Sequence, residues 1–308
     1  MTSQTDSDSD LKLLRETVVQ VIADHVGRRD TLRMVKTANY GEGLKFADFG
    51  ADVRWTTRTQ ALLNDWNEQG RCVGGLCVQL RGGTGIGALP LPQGVDLVSS
   101  LSELGLDRVR RLDLSIDVFD CPSLSVPLFR DRLSSGDWRI PRRDPASFTY
   151  TGPIVDKAVV KKGATLYIGG IGDDKRIAIY DKGAQQELDK PWIRFEVRLK
   201  GTPAEDALYR LRQASDAAQE HHDPQVFLDG CVVALVRAVL DVRDVSAYAV
   251  SGRLPKNWAN AGTTTYPEVM HPVFAQVAPL ELGSFKATGL YAARVRHLVH
   301  SSGRMMWR

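Results

Sequence analysis

In Trp192-Ile193-Arg194-Phe195-Glu196-Val197-Arg198-Leu199-Lys200, apolar and charged side chains alternate from Ile193 onward. Successive side chains of a strand point to opposite faces. The spacing therefore predicts a strand over 193–199 in which Ile193, Phe195, Val197 and Leu199 are buried while Arg194, Glu196 and Arg198 face solvent. On a helix the same charges would be scattered around the axis.

Upstream stretches repeat the pattern. In Arg176-Ile177-Ala178-Ile179-Tyr180-Asp181, the residues Ile177 and Ile179 point one way and Arg176, Ala178 and Tyr180 the other. In Leu112 to Val118, the residues Leu112, Leu114, Ile116 and Val118 share one face, leaving Asp113, Ser115 and Asp117 together on the second. Thr165 to Ile168 reads as a further strand, and the turn Gly170 to Asp174 makes it the hairpin partner of the Tyr180 strand. An antiparallel sheet with one solvated face follows.

Ala204 to Glu220 and Val226 to Leu240 have helical spacing, the first with Thr202 as a cap and Pro203 in its first turn. Toward the N-terminus, Leu11 to His25 predicts a helix capped by Asp10, and the glycine-punctuated stretch Thr31 to Trp55 predicts short strands. Thr59 to Glu68 reads as a short helix, Cys72 to Arg81 as a strand with Leu76, Val78 and Leu80 on its apolar face, and Val95 to Leu104 as a helix. Strands grouped before helices argue for an α+β fold, with helices packed on the apolar face of the antiparallel sheet. The expected organisation is an acidic tail and N-terminal helix over 1–30, a main domain over 31–258 and a basic C-terminal extension over 259–308.

The 308 residues are 43% hydrophobic and 25% charged, without an apolar run near the ~20 residues that a membrane span requires. The chain opens on the polar, acidic run Thr2 to Asp10, so a cytoplasmic location is the expectation. Cys72, Cys77, Cys121 and Cys231 make no CxxC pair, and the adjacent His221 and His222 point apart on either a helix or a strand. The glycine run Gly82 to Gly87 lacks the GK[ST] of a phosphate loop and reads as a flexible turn. Net charge is only +3, but it is uneven: residues 139–200 hold thirteen Lys/Arg against eight Asp/Glu, and residues 253–308 hold seven against two. Aromatic residues interleave with the second basic block, a pattern suited to single-stranded nucleic acid.

The polar faces of the strands bring two aspartates, a glutamate, a tyrosine and several cations into one sheet. Carboxylate oxygens suit Mg²⁺ or Mn²⁺, which polarise phosphodiesters. A tyrosine attacks poorly at neutral pH, its pKa lying near ~10, and needs a cation or metal beside it to favour the phenolate. Arg176 and Lys182, alternate-position neighbours of Tyr180, are the candidates for that role.

These segments together resemble the Rep_trans family of replication initiation factors of plasmids, filamentous phages and conjugative transposons. The resemblance is carried by Arg111-Leu112-Asp113-Leu114-Ser115-Ile116-Asp117, Thr165-Leu166-Tyr167-Ile168-Gly169-Gly170, Arg176 to Gly183, and Trp192 to Lys200, in that order. It implies a metal-dependent endonuclease of bacterial hosts that nicks and rejoins one strand at a replication origin. The implied chemistry is rolling-circle initiation through a covalent 5′-phosphotyrosine, leaving a 3′-hydroxyl primer. By the same resemblance Tyr180 is the nucleophile with Lys182 and Arg176 beside it, and Asp117, Glu196 and Asp113 hold Mg²⁺ or Mn²⁺. Arg111, Lys175, Arg194 and Arg198 are the expected DNA contacts, so the polar sheet surface faces DNA. Single-stranded or extruded origin DNA, a second copy in a homodimer, and the host helicase and polymerase are the expected partners. Ala178 stands where the family often carries an arginine, so the face has one cation fewer. A non-cutting regulator on the same scaffold and a relaxase for conjugative transfer are the alternative readings.

Overall fold

The computed structural model describes residues 4–26, 32–37, 41–56, 76–82, 86–104, 106, 109–141, 148–152, 154–156, 159–249, 265 and 267–270. The expected helix at 59–68 lies outside them, as does most of the expected extension 259–308. The chain forms two compact units, one of residues 1–113, 199–229 and 285–308, the other of residues 114–198 and 230–284.

In the first unit, α1 (Gln4–Val26) begins earlier than expected, so that Asp10 sits inside the helix and does not cap it. Val18 and Ile22, one turn apart, are fully buried. β1 (Leu32–Thr37), β2 (Gly41–Phe46), β3 (Ala51–Thr56) and β4 (Leu76–Leu80) form an antiparallel meander in chain order. All five residues of β4 are buried. The solvated face expected for that strand is therefore absent, although its alternation placed Cys77 and Gln79 there. Asp52 is also buried in this sheet, paired with Arg81 at 2.9 Å and Arg54 at 3.1 Å. α2 (Leu91–Glu103) starts ahead of the expected Val95 because Pro92 suits a first turn; it buries Val95, Val98 and Leu101.

The second unit is built on a five-stranded sheet. Its elements in chain order are β5 (Arg111–Phe119), α3 (Val126–Ser135), β6 (Trp138–Arg139), β7 (Phe148–Thr151), β8 (Ile154–Asp156), β9 (Val159–Lys162), β10 (Thr165–Ile168), β11 (Lys175–Asp181), α4 (Lys182–Gln185) and β12 (Trp192–Lys200). The residues of β5 up to Asp113, and those of β12 from Leu199, belong to the first unit. The sheet order is β5-β12-β11-β10-β7. β10 and β11 form the expected hairpin, with Thr165 opposite Tyr180 and Tyr167 opposite Ala178. β5 and β12 run antiparallel, since backbone bonds join Arg110 to Gly201 beyond one end and Asp120 to Pro191 beyond the other. Counting inward sets Asp117 opposite Arg194 and Phe119 opposite Trp192.

Alternation divides the side chains of β10 and β12 as expected, whereas in β5 Asp113 is buried and Ile116 and Val118 only half-buried, and in β11 Ala178 is buried as well. Leu166, Ile168, Ile177, Ile179, Phe195 and Val197 have almost no exposure, whereas Arg194, Glu196, Tyr180 and Asp117 are half-buried on the other face. The buried face packs on α3, whose Phe129 meets Phe195 edge-on at 5.5 Å and Trp138 at 5.3 Å. α3 interrupts the expected run of strands, and its signals are local: Ser125 caps Leu128, Pro127 lies in the first turn, and Gly136 closes the helix with φ +81°. The fold is α+β with antiparallel sheets. No described helix is long and apolar enough to cross a membrane.

Phe195 sits where the sheet meets α3, so Phe195→Ala is expected to cost about 3–5 kcal/mol of stability through lost burial and a residual cavity. Urea denaturation followed by tryptophan fluorescence checks this; a loss below about 1 kcal/mol would show that this face is not a packed core.

Candidate active site

Tyr180 is the penultimate residue of β11, and its ring lies on the polar face because Ile177 and Ile179 take the buried one. Asp181 then ends the strand and caps α4, accepting the Ala184 amide at 2.9 Å. The turn is tight: a Cβ on Gly183 would collide with the Lys190 carbonyl, so only glycine fits there. Lys182 is thereby lifted off the strand into α4. Its Nζ donates to Gln185 Oε1 at 2.7 Å and stands 5.9 Å from the Tyr180 ring centroid.

The Tyr180 hydroxyl donates to Glu196 Oε2 at 3.2 Å. That is long for an O–H···O bond, as catalytic hydrogen bonds often are before substrate binds. The Arg194 guanidinium stands close enough for its positive charge to favour the ionised tyrosine oxygen. It is itself held by Asp117, with Nε and Nη2 donating to the two carboxylate oxygens at 2.6 Å each. The indole N–H of Trp192 donates to the same Asp117 at 2.7 Å.

These contacts set the local electrostatics. Burial first, and then the charge of Glu196, push the Tyr180 hydroxyl well above the ordinary phenol value, against the pull of Arg194. Burial opposes the Arg194 charge, but the hydrogen bonds and charge of Asp117 outweigh it and keep the guanidinium firmly protonated. The Lys182 ammonium is lowered by burial and then by Arg194, with Asp117 and Glu196 pulling the other way.

Tyr180, Glu196, Arg194, Asp117 and Lys182 thus form one cluster, to which Arg198 is joined through Glu196. Arg176 stacks over the Tyr167 ring at 4.1 Å, with Ala178 between it and Tyr180 on the strand. Lys175 is exposed at the start of β11, and Arg198 pairs with Glu196 Oε1 at 3.3 Å. Asp113 belongs to the first unit, where Arg111 grips both its oxygens at 2.6 and 2.9 Å and its side chain is only 1% exposed. Sequence reading gave Trp192 no role and Arg194 only a DNA contact; alternation assigns a residue to a face but does not name its partner.

The carboxylates as paired do not fit a divalent ion. Asp117, Glu196 and Asp113 each face an arginine, and among the described residues no three His, Cys, Asp or Glu side chains gather into a metal cage. Mg²⁺ or Mn²⁺ bound through these acids requires the arginines to let go.

The cluster makes a signed prediction. Glu196→Gln is expected to lower the Tyr180 pKa, because the carboxylate's charge and hydrogen bond both favour the phenol. Arg194→Gln is expected to raise it further. NMR titration of ¹³C-labelled tyrosine checks both shifts, and a rise in the glutamine variant at 196 would contradict the assigned contacts.

No curated protein sequence matches the chain. The fold does have solved counterparts: a rolling circle replication initiator protein from Geobacillus stearothermophilus superimposes with a TM-score of 0.52 over 85% of this chain and 88% of that one, at 15% identity. At that identity the likeness is one of fold. The segment holding the whole cluster, residues 107–223, matches the family model for Rep_trans, replication initiation factor. This chain is therefore similar in fold to that initiator protein, and its residues 107–223 are similar in sequence to the replication initiation factors of the Rep_trans family.

Proposed function

We propose that the chain initiates rolling-circle replication by binding an origin and cutting one strand through attack of Tyr180 on a phosphodiester. One observation carries the reading: within the segment that matches replication initiation factors, the Tyr180 hydroxyl donates to the Glu196 carboxylate, on the same sheet face as the Arg194 guanidinium that Asp117 holds.

Each group then has a task. Lys182 offers a positive charge to the scissile phosphate. Glu196 accepts the phenol proton as the tyrosine oxygen bonds to phosphorus, and Arg194 stabilises the negative charge on that oxygen during transfer. The bond from phosphorus to the 3′-oxygen breaks with its electron pair on that oxygen, which takes a proton from solvent. The products are a 5′-phosphotyrosine and a 3′-hydroxyl that a host polymerase can extend behind a host helicase. Lys175 and Arg198, and Arg111 in the first unit, are proposed phosphate contacts on single-stranded or extruded origin DNA, and a homodimer is proposed as the acting form. The Mg²⁺ or Mn²⁺ that the resemblance implies remains a proposal, and no step above depends on it. Cutting by protein treated with EDTA, compared with the same protein given Mg²⁺, decides it; a strict requirement for the ion would mean that the Asp117–Arg194 pair opens when DNA binds.

Tyr180→Phe is expected to abolish nicking of a supercoiled plasmid carrying the cognate origin while origin binding survives, since only the nucleophilic oxygen is lost. Glu196→Gln is expected to slow nicking by about 10²–10⁴-fold, the usual range for a proton-transfer group. Agarose-gel assays of relaxed product check both. Undiminished nicking by the phenylalanine variant would move the nucleophile to Tyr167 or Tyr150, and origin binding by the wild type with no cutting would favour a regulator.

A further inference from the structure

We propose that Phe119 and Trp192 form a stacking platform for an unpaired nucleobase next to the phosphate that Tyr180 attacks. The inference rests on the reading of the chain as a protein that acts on single-stranded DNA.

Phe119, the last residue of β5, is 57% exposed, a large apolar ring at the end of an otherwise polar strand face. One side of it is occupied: the ring lies 5.0 Å from that of Trp192, tilted at an interplanar angle of 33°, within the centroid range of aromatic pairs. Its outer side is open to solvent. Asp120 follows with φ +54°, a conformation that costs a non-glycine residue energy, and the chain turns there, ending the strand directly after the ring.

The platform is also held in register with the cluster. The indole N–H of Trp192 is fixed by Asp117, the carboxylate that positions Arg194, and the Arg194 guanidinium lies 5.7 Å from the indole centroid. Lys182 Nζ stands at almost equal distances from the nucleophile and the platform, 5.9 Å from the Tyr180 ring centroid and 6.0 Å from that of Trp192. A phosphate drawn to Lys182 is near both Tyr180 and the aromatic pair, which brings the base of an adjoining nucleotide to Phe119. Rings flanked by cations that track the backbone are the usual means of gripping single strands. Such stacking tolerates any sequence, because every base has a π-face.

The test compares a short fluorescein-labelled oligothymidylate with an abasic strand of equal length, binding each to the wild-type full chain, Phe119→Ala and Phe119→Tyr, and following anisotropy. Wild type is expected to prefer the strand with bases. Phe119→Ala is expected to bind the oligothymidylate about 5- to 150-fold more weakly, the range for one lost base stack, and the abasic strand unchanged. Phe119→Tyr is expected to recover the preference, which separates stacking from a folding defect. If wild type binds and cuts DNA but Phe119→Ala keeps the full preference for bases, the platform is wrong and the exposed ring serves something other than DNA. An equal loss by Phe119→Ala on both strands also overturns it. If wild type binds neither strand and cuts no origin, the reading of the function fails and the platform with it.

Discussion

Two charge-assisted hydrogen bonds from Arg194 to Asp117 organise the polar face of the second unit. They join β12 to β5 across the sheet, and the same carboxylate fixes the indole of Trp192. Each partner keeps about a quarter of its side-chain surface exposed, 24% for Arg194 and 26% for Asp117. The pair therefore escapes both the heavy desolvation of a deep ion pair and the screening of a surface one. Its main effect is geometric: with Asp117 removed, Arg194 loses its orientation toward Tyr180 and Trp192 loses its only described anchor on the carboxylate.

This arrangement holds Tyr180 in its phenol form. Burial and Glu196 oppose ionisation more strongly than Arg194 promotes it, so a free phenolate does not wait at neutral pH. Under the proposed function, Tyr180 would be activated at the moment of attack, when proton and new bond move together. The arginines beside Asp117 and Glu196 also explain why acids that looked like metal ligands in the sequence are engaged differently here: each carboxylate has a guanidinium within reach. A guanidinium satisfies the charge and lone pairs that a hard cation would otherwise take.

The strands were legible because one face of the sheet is buried, and burial of one face imposes a period of two. Ile193 to Leu199, Ile177 to Ile179 and Leu166 to Ile168 carry that period, and the structure buries the residues it names. Where both faces are buried the same reading fails, as at β4, whose Gln79 is only 2% exposed. α3 was missed although Ser125, Pro127 and Gly136 mark its ends, because its ten residues fall between strands that dominated the pattern. Lys182 was expected beside Tyr180 on the strand; the turn forced by Asp181 and Gly183 moves it into α4. Asp113 and Asp117 share a strand face in sequence. Their partners differ, since the first is gripped by Arg111 two residues away and the second by Arg194 on another strand, a pairing that tertiary structure sets.

The central claim is that Tyr180 itself joins to DNA, which neither a DNA-binding regulator nor a nuclease that activates water would do. Mass spectrometry of a protease digest, made after incubating the protein with single-stranded DNA spanning its cognate origin and then denaturing it, tests this directly. The account predicts a 5′-phosphate-linked nucleotide remnant on the peptide containing Ile179-Tyr180-Asp181. Cleaved DNA with every tyrosine peptide unmodified would contradict it.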